Sequence, residues 1–388
     1  MGELLAMRVC VLTVVHVHHD NRIFYKQILT LRQAGYEVTY VVPCPPEVRS
    51  LEGVELVPLP LVPRWRRPQN WWRAMKAGLR SKADLFHFHD PELIGVGLLL
   101  RLLTGRPVIY DVHENYPQVM LRRLWIPAPL RRLVGKGMAA LEWVASYLLD
   151  GVVVANPPTW QRFRKRGRRA ALVGNYVDLE GFDGETGPPL FRAQGPYFIY
   201  SGSLSSQRGV LDCLAAFERL SREDVNLLLV GPLDDADASV ANLPDRLPRG
   251  AYLLPAQPFR ALPPLLRASV AGLVTLRPTP NYLEILPTKL LEYMAASIPV
   301  IAYDLPLVRP IVEGARCGLL VEPHDVEGLA KSMAYLLDHP FEAKEMGKRG
   351  RRAVMERYSW EAESRKLLAL YREVLGPPEA QRVRKSAE

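Results

Sequence analysis

Short, unbroken apolar runs recur along this chain, each followed by a polar loop and then by residues of helical spacing. Arg8-Val-Cys-Val-Leu-Thr-Val-Val-His16 is the first, and further strands are expected at Asp84–His87, Pro107–Tyr110, Gly151–Ala155 and Ala170–Val173. A strand with one wet face alternates apolar and polar residues, whereas an unbroken run fits a parallel strand covered on both faces. Asn21–Ala34, closed by Gly35, is expected as a helix leading into a strand at Glu37–Val42. Strand, helix and strand within about 35 residues form a right-handed βαβ unit. Tyr197–Ser201, Leu227–Gly231, Tyr252–Pro255, Val270–Thr275, Ile298–Ala302 and Gly318–Val321 repeat the pattern in the second half. The fold class is therefore α/β with parallel sheets.

At 388 residues the chain has room for two domains, each with its own core. No stretch of about 18 uninterrupted apolar residues is present, which argues against a membrane span. Met1–Ala6 is short, carries Glu3 and is not expected to be a signal peptide. Cys10, Cys44, Cys213 and Cys317 show no C-x-x-C spacing and are expected to be buried thiols in a reducing cytoplasm. Charge is uneven: residues 1–190 carry 25 Lys+Arg against 17 Asp+Glu, and residues 191–388 carry 25 against 24. The first half is thus expected to face something anionic, a membrane surface or a phosphorylated acceptor.

Two segments concentrate that charge. Arg64–Lys76 mixes three tryptophans with five basic residues, and Leu121–Val134 alternates apolar and basic clusters. Tryptophan with arginine suits an anionic bilayer interface; a solvated helix packed through its tryptophans is the plainer alternative. Nucleic acid is not expected, because no binding motif accompanies the charge.

Three loops follow strands of the first half at their carboxyl ends, where open parallel sheets bind ligands. They carry His16, Asp20 and Arg22; His89, Asp90 and Glu92; and His113 and Glu114. Taken singly, each histidine also reads as a hydrogen-bonded structural group. His-x-His with aspartate can ligate zinc, but the irregular loop spacing leads us to expect no metal.

In the second half Gly202-Ser-Leu-Ser-Ser-Gln-Arg-Gly209 links a strand to a helix expected at Val210–Leu220. Such a loop turns backbone N–H groups toward phosphate, and Arg208 can fork onto diphosphate oxygens. Further on, Pro287 is expected at the first position of a helix through Ala296. Thr288 and Glu292, four apart, share one face of it, while Leu290, Leu291, Tyr293 and Met294 bury the rest. Glu284 precedes this helix and Lys289 lies on it. Two carboxylates, a lysine and a helix N-terminus suit a ligand bearing hydroxyls and phosphates, as a nucleotide sugar does; buried salt bridges are the plain alternative.

Glu284-x7-Glu292 followed by Tyr293-Met-Ala-Ala-x-x-Pro-Val-Ile301 resembles the family-four (group 1) retaining glycosyltransferases of GT-B fold. His19-Asp-x-Arg-Ile-Phe24, His87-x-His-Asp-Pro-Glu-Leu93 and Tyr110-Asp-x-His-Glu114 carry the same resemblance, which spans nearly the whole chain. It implies two Rossmann-like domains facing across a cleft, at 1–178 for the acceptor and 197–357 for the nucleotide sugar. A linker at 179–196, a terminal helix at 358–375 crossing back to the first domain, and a frayed tail at 376–388 complete the layout.

The resemblance also implies retaining transfer of a sugar from a nucleoside diphosphate to a hydroxyl acceptor, lipid-linked or a surface-glycan precursor. It further implies that no cofactor or metal is required. His113, Glu284, Arg208 and Lys289 would be catalytic; Gly202, Ser203, Leu286, Thr288 and Glu292 would complete the donor site. His16, Asp20, Arg22, His89, Asp90 and Glu114 would lie on the acceptor side. The sequence departs from the family at two places. Ser203 stands where an arginine is usual, which makes Lys289 the expected second phosphate cation, and Ser297 replaces a helix-ending glycine. A nucleotide-sugar epimerase of the same fold, or a non-catalytic sugar-nucleotide-binding subunit, are the competing readings. The expected location is the cytoplasm, with peripheral attachment to the inner face of the cell membrane as a further option.

Overall fold

The computed structural model describes residues 6–121, 126–164, 169–184, 191, 195–234, 237–258, 261–280 and 282–376. The chain start, residues 122–125 of the second basic segment, half of the expected linker, Asn281 and the expected frayed tail beyond 376 lie outside the described residues. Two compact units emerge, Met1–Asn175 with Glu363–Glu388, and Tyr176–Ala362.

The first unit holds β1 Arg8–Leu12, β2 Glu37–Pro43, β3 Ser50–Leu51, β4 Val54–Leu59, β5 Leu85–Phe88, β6 Val108–Val112, β7 Gly151–Val154 and β8 Ala170–Leu172. They form one sheet in the order β3-β4-β2-β1-β5-β6-β7-β8, parallel throughout except where β3 pairs with β4. Its helices are α1 Leu29–Gln33, α2 Pro68–Ser81, α3 Ile94–Thr104, α4 Tyr116–Met120, α5 Ala128–Leu148 and α6 Pro157–Arg164. The second unit contains α7 Leu179–Asp183, β9 Tyr197–Ser201, α8 Val210–Leu220, β10 Asn226–Val230, β11 Ala251–Leu254, α9 Leu262–Arg267 and β12 Ala271–Val274. It continues with α10 Thr288–Ala295, β13 Val300–Tyr303, α11 Arg309–Ala315, β14 Gly318–Val321, α12 Val326–Asp338 and α13 Pro340–Arg357. Its sheet is wholly parallel, ordered β11-β10-β9-β12-β13-β14. Two parallel α/β sheets with helical crossovers are the two Rossmann-like domains expected.

The last helix, α14 Trp360–Leu375, starts in the second unit and continues into the first. There Tyr371 Oη lies 2.7 Å from His87 Nδ1, and Leu370 and Val374 crowd Gly151 of β7. Leu367, Leu370, Tyr371 and Trp360 are all buried, as their spacing implied.

Two local differences bear on function. The helix expected from Asn21 begins as a wide π-helical segment, Asn21–Ile28, before tightening into α1. Such segments cost hydrogen-bond quality and gather at functional sites. In α10, Pro287 sits at the cap and Thr288 opens the helix. The helix nevertheless ends as a glycine would end it. Ser297 adopts φ 62°, its N–H bonds Met294 O at 3.1 Å, and Ile298 N bonds Tyr293 O at 3.2 Å. This is a Schellman close made at a strain of roughly 1 kcal/mol.

Candidate functional site

Each unit carries one polar cluster at the carboxyl ends of its strands. In the second, β9 runs into Gly202, whose φ of 118° is open to glycine alone. A side-chain carbon built on Gly202 would lie 3.6 Å from Lys289 Nζ and 3.9 Å from Arg208 Nη1. Two cations from separate elements therefore converge above this one residue. Arg208 closes a short 3-10 turn, and its carbonyl accepts from Tyr200 Oη and Thr275 Oγ1. Asp237 clamps the start of that turn, accepting from both N and Oγ of Ser206 at 2.7 Å, and these bonds hold its carboxyl at about 2. Gly209 then caps α8 with φ 73°, and Thr275 O would lie 2.0 Å from any side chain there.

Lys289 is buried, and its Nζ rests 3.3 Å from the Tyr200 ring centroid with no hydrogen-bond partner among the described residues. Burial first, and the Arg208 charge second, push its pKa well below the ordinary lysine value. Charging a buried, unpaired amine is costly, so an anion placed beside Lys289 would offset that cost. Thr288 and Glu292 are the half-buried positions on an otherwise buried α10, as their spacing implied. Glu284 and Leu286 are half-buried in the preceding loop, and Ser203 is half-buried beside Gly202. Arg277 N bonds Gln207 O at 3.1 Å, and the Arg277 guanidinium reaches Asp212 at 2.7 Å. The loop bearing Glu284 is thereby fastened to the loop bearing Arg208. Sequence reasoning missed Arg277 and Asp212, because their 65-residue separation hides the pair.

In the first unit the three expected loops do come together. His16 Nδ1 lies 3.1 Å from Asp20 and its Nε2 3.6 Å from Asp90. Asp20 caps the helix at Arg22 N and Ile23 N, both 2.9 Å away. Asp90 accepts from Thr13 Oγ1 at 2.8 Å and Val14 N at 2.6 Å. The His16 and His113 rings are 4.8 Å apart, and His113 Nε2 lies 3.1 Å from His89 Nδ1. Glu114, next in the chain, is half-buried. Asp111, quoted within a motif but not singled out, is the hub. It is fully buried and takes both oxygens of its carboxylate to Arg22 Nη2 at 3.0 and 3.1 Å. Arg22 is only 5 % exposed and spends Nη1 on Val173 O, so it acts as a brace inside this cluster.

The electrostatics sort these histidines. Burial would lower His16, but the Asp20 bond and the Asp90, Asp20 and Asp111 charges outweigh it and raise its pKa. Burial lowers His113 to about 3 and His87 to about 4 against the pull of Asp111, and lowers His89 well below its ordinary value. His87, His89 and Asp111 also present potential ligand atoms within 4.8 Å of one another. With both Asp111 oxygens on Arg22, however, a metal there would sit beside a buried guanidinium, so the donor set does not fit one. The three low histidines make a pH prediction. Groups neutral when folded contribute stability above about 6.5, the unfolded pKa, which drains as pH falls toward the folded values. Unfolding at pH 5.5 should accordingly take up protons at these three imidazoles. Calorimetry in buffers of different ionisation enthalpy measures this, and zero uptake would contradict neutral, buried imidazoles.

Known proteins resemble this chain in sequence and in fold. A model described as Glycosyltransferase Family 4 matches residues 21–180, and one described as Glycosyl transferases group 1 matches residues 195–339. The chain belongs to the group 1, family-four glycosyltransferases. An MMP alpha-(1->4)-mannosyltransferase of Mycolicibacterium hassiacum is 24% identical, covering 86% of this chain and 82% of its own. A phosphatidyl-myo-inositol mannosyltransferase of Mycolicibacterium smegmatis is 24% identical over 89% of this chain and 88% of its own. Sucrose-phosphate synthase from Thermosynechococcus elongatus superposes with TM-score 0.73 at 21% identity, over 95% of this chain and 99% of the other. HepE of Anabaena in complex with UDP-glucose gives 0.71 at 14% identity, over 95% and 100%. The fold is GT-B and the protein is a glycosyltransferase.

Proposed function

We propose that this glycosyltransferase moves a sugar from a nucleoside diphosphate to a hydroxyl acceptor with retention at the anomeric carbon, without a required metal or cofactor. The observation that carries the donor assignment is Lys289, a buried lysine with no hydrogen-bond partner among the described residues, converging with Arg208 over Gly202. A diphosphate supplies the missing anion; the two cations then stabilise it as it departs, an electrostatic role of the oxyanion-hole kind. Glu292 holds ribose hydroxyls, Glu284 contacts the sugar, and Thr288, Leu286 and Ser203 line the donor. His113 positions the transferred sugar, neutral because of its burial. His16, Asp20, His89, Asp90 and Glu114 form the acceptor side. Retention and freedom from metal rest on the family resemblance. A lipid-linked acceptor is supported by the name of the M. smegmatis relative. We assign the protein an anionic membrane surface as its workplace, with the basic first half turned toward it. The relatives' names, transferases and synthases, do not favour an epimerase.

Glu292→Gln keeps the shape and removes the charge-assisted bond to ribose. It should weaken nucleoside diphosphate binding by about 1.5–3 kcal/mol while leaving the melting temperature of the empty protein in place. Titration calorimetry against a panel of nucleotide sugars measures it, and unchanged affinity in the folded variant removes Glu292 from the donor site. Turnover with the same panel separates an enzyme from a subunit that only binds.

A further inference from the structure

In the first unit α2 packs on α3 and α3 on α5, so the three helices form one layer on the sheet. The outer surface of that layer is apolar where solvent would ordinarily demand charge. On α3 the exposed positions are Gly95, Leu99, Arg101, Leu102 and Leu103; all but Arg101 are apolar and fall on one helical stripe, and Leu102 is 79% exposed. On α5 the outward stripe is Leu130, Leu133, Val134, Gly137, Leu141, Val144 and Leu148, with Leu133 68% exposed and Trp143 and Tyr147 along its edge. Twenty-one residues give α5 a length of about 30 Å. Soluble monomers seldom expose so long an apolar face, and it marks a docking surface.

The charges around it have one sign. Arg73, Lys76 and Arg80 on α2 and Arg132 and Lys136 on α5 are exposed. The one acidic residue on the three helices, Glu142, is buried against Arg162. Beyond α5, Asp150 is held by Arg101. A second copy of the chain docking through a two-fold axis would bring these basic rims against each other. An anionic lipid surface satisfies both features at once: acyl chains for the leucines and headgroup phosphates for the rim. None of the described helices is long and apolar enough to cross a membrane, and α5 is packed along its inner side, so the contact would lie in the interface plane.

We infer that the α3–α5 face, rimmed by the basic side of α2, is the surface through which this protein docks on an anionic bilayer. It rests on the membrane reading proposed above and moves its centre. Trp71 turns inward, its N–H within 3.4 Å of Glu92, whereas Trp65 and Trp72 remain exposed.

The test is co-sedimentation of the full chain with phosphatidylcholine vesicles, with and without phosphatidylglycerol, at low and high salt. The wild type is expected to pellet with anionic vesicles and to keep a residual bound fraction at high salt. Leu102→Glu and Leu133→Glu each remove an exposed apolar contact without touching the core, and each should weaken binding at least about tenfold. Melting temperature and nucleoside diphosphate binding of both variants should match the wild type. If the wild type binds and both variants bind as well, this face is wrong while the membrane reading stands. If the wild type ignores anionic vesicles at low salt, both fall. A wild-type dimer in light scattering that Leu102→Glu dissociates would make the face a subunit contact and overturn the proposal.

Discussion

Lys289→Ala is expected to lower turnover about 10²–10³-fold, the usual cost of losing one preorganised donor to a departing anion. Arg208→Ala should cost a similar factor, and the double variant less than the product, because both cations reach the same point above Gly202. The buried ammonium adds a second signature. Its pKa is held well below the ordinary lysine value by burial and by Arg208. A diphosphate placed beside it reverses that, since an opposite charge favours the protonated form. Binding should therefore take up protons at pH values between the lowered pKa of the empty site and the ordinary lysine value, and Lys289→Met, similar in length, should abolish the uptake. Steady-state kinetics and calorimetry in paired buffers read the two effects. Fully multiplicative losses would mean that the cations serve different groups, and unchanged turnover in Lys289→Ala would remove it from the chemistry.

That site was largely legible because its residues are local. Gly202 and Arg208 lie on one loop, and Thr288, Lys289 and Glu292 on one helix, so period and spacing alone group them. Strands β9 and β14 were readable to the residue, their runs being apolar and unbroken. Strand β4 was not, because Glu55 and Pro58 interrupt its pattern beside the sheet edge. Ser297 shows a different limit. Its identity suggested a changed helix end, yet packing imposed the left-handed turn: Gly347 comes so close to Ser297 O that an added side-chain carbon there would lie 2.0 Å away. Asp111 was illegible for a third reason. It sits inside an apolar strand run, and its partner Arg22 is 89 residues distant. Nothing in local sequence distinguishes such a carboxylate from a loop ligand; only the assembled sheet brings β6 beside the π-helical segment.

Asp111→Asn should be the most damaging single change in the first unit. The substitution keeps the side-chain shape but leaves the guanidinium of Arg22 buried without a counter-charge, which costs about 3–5 kcal/mol. Replacing both partners at once, as Arg22→Met with Asp111→Leu, should cost less than the Asp111 change alone, because no unpaired charge then remains. Burial opposes the ionised form of Asp111, but Arg22 and the neighbouring histidines prevail and hold its pKa below the usual aspartate value. The sign of the pH dependence follows from that direction. The pair's stabilisation is fully present above about 3.9, the unfolded aspartate pKa, and is lost as pH falls through the lower folded value. The deficit of Asp111→Asn should accordingly be large at neutral pH and shrink in acid, where the wild type loses the same charge. Urea unfolding from pH 7 down to pH 3, followed by Trp fluorescence, measures it, since six of the seven tryptophans lie before residue 176 and report on the first unit. A variant as stable as the wild type at pH 7 would show that the Arg22 charge is compensated by something other than Asp111.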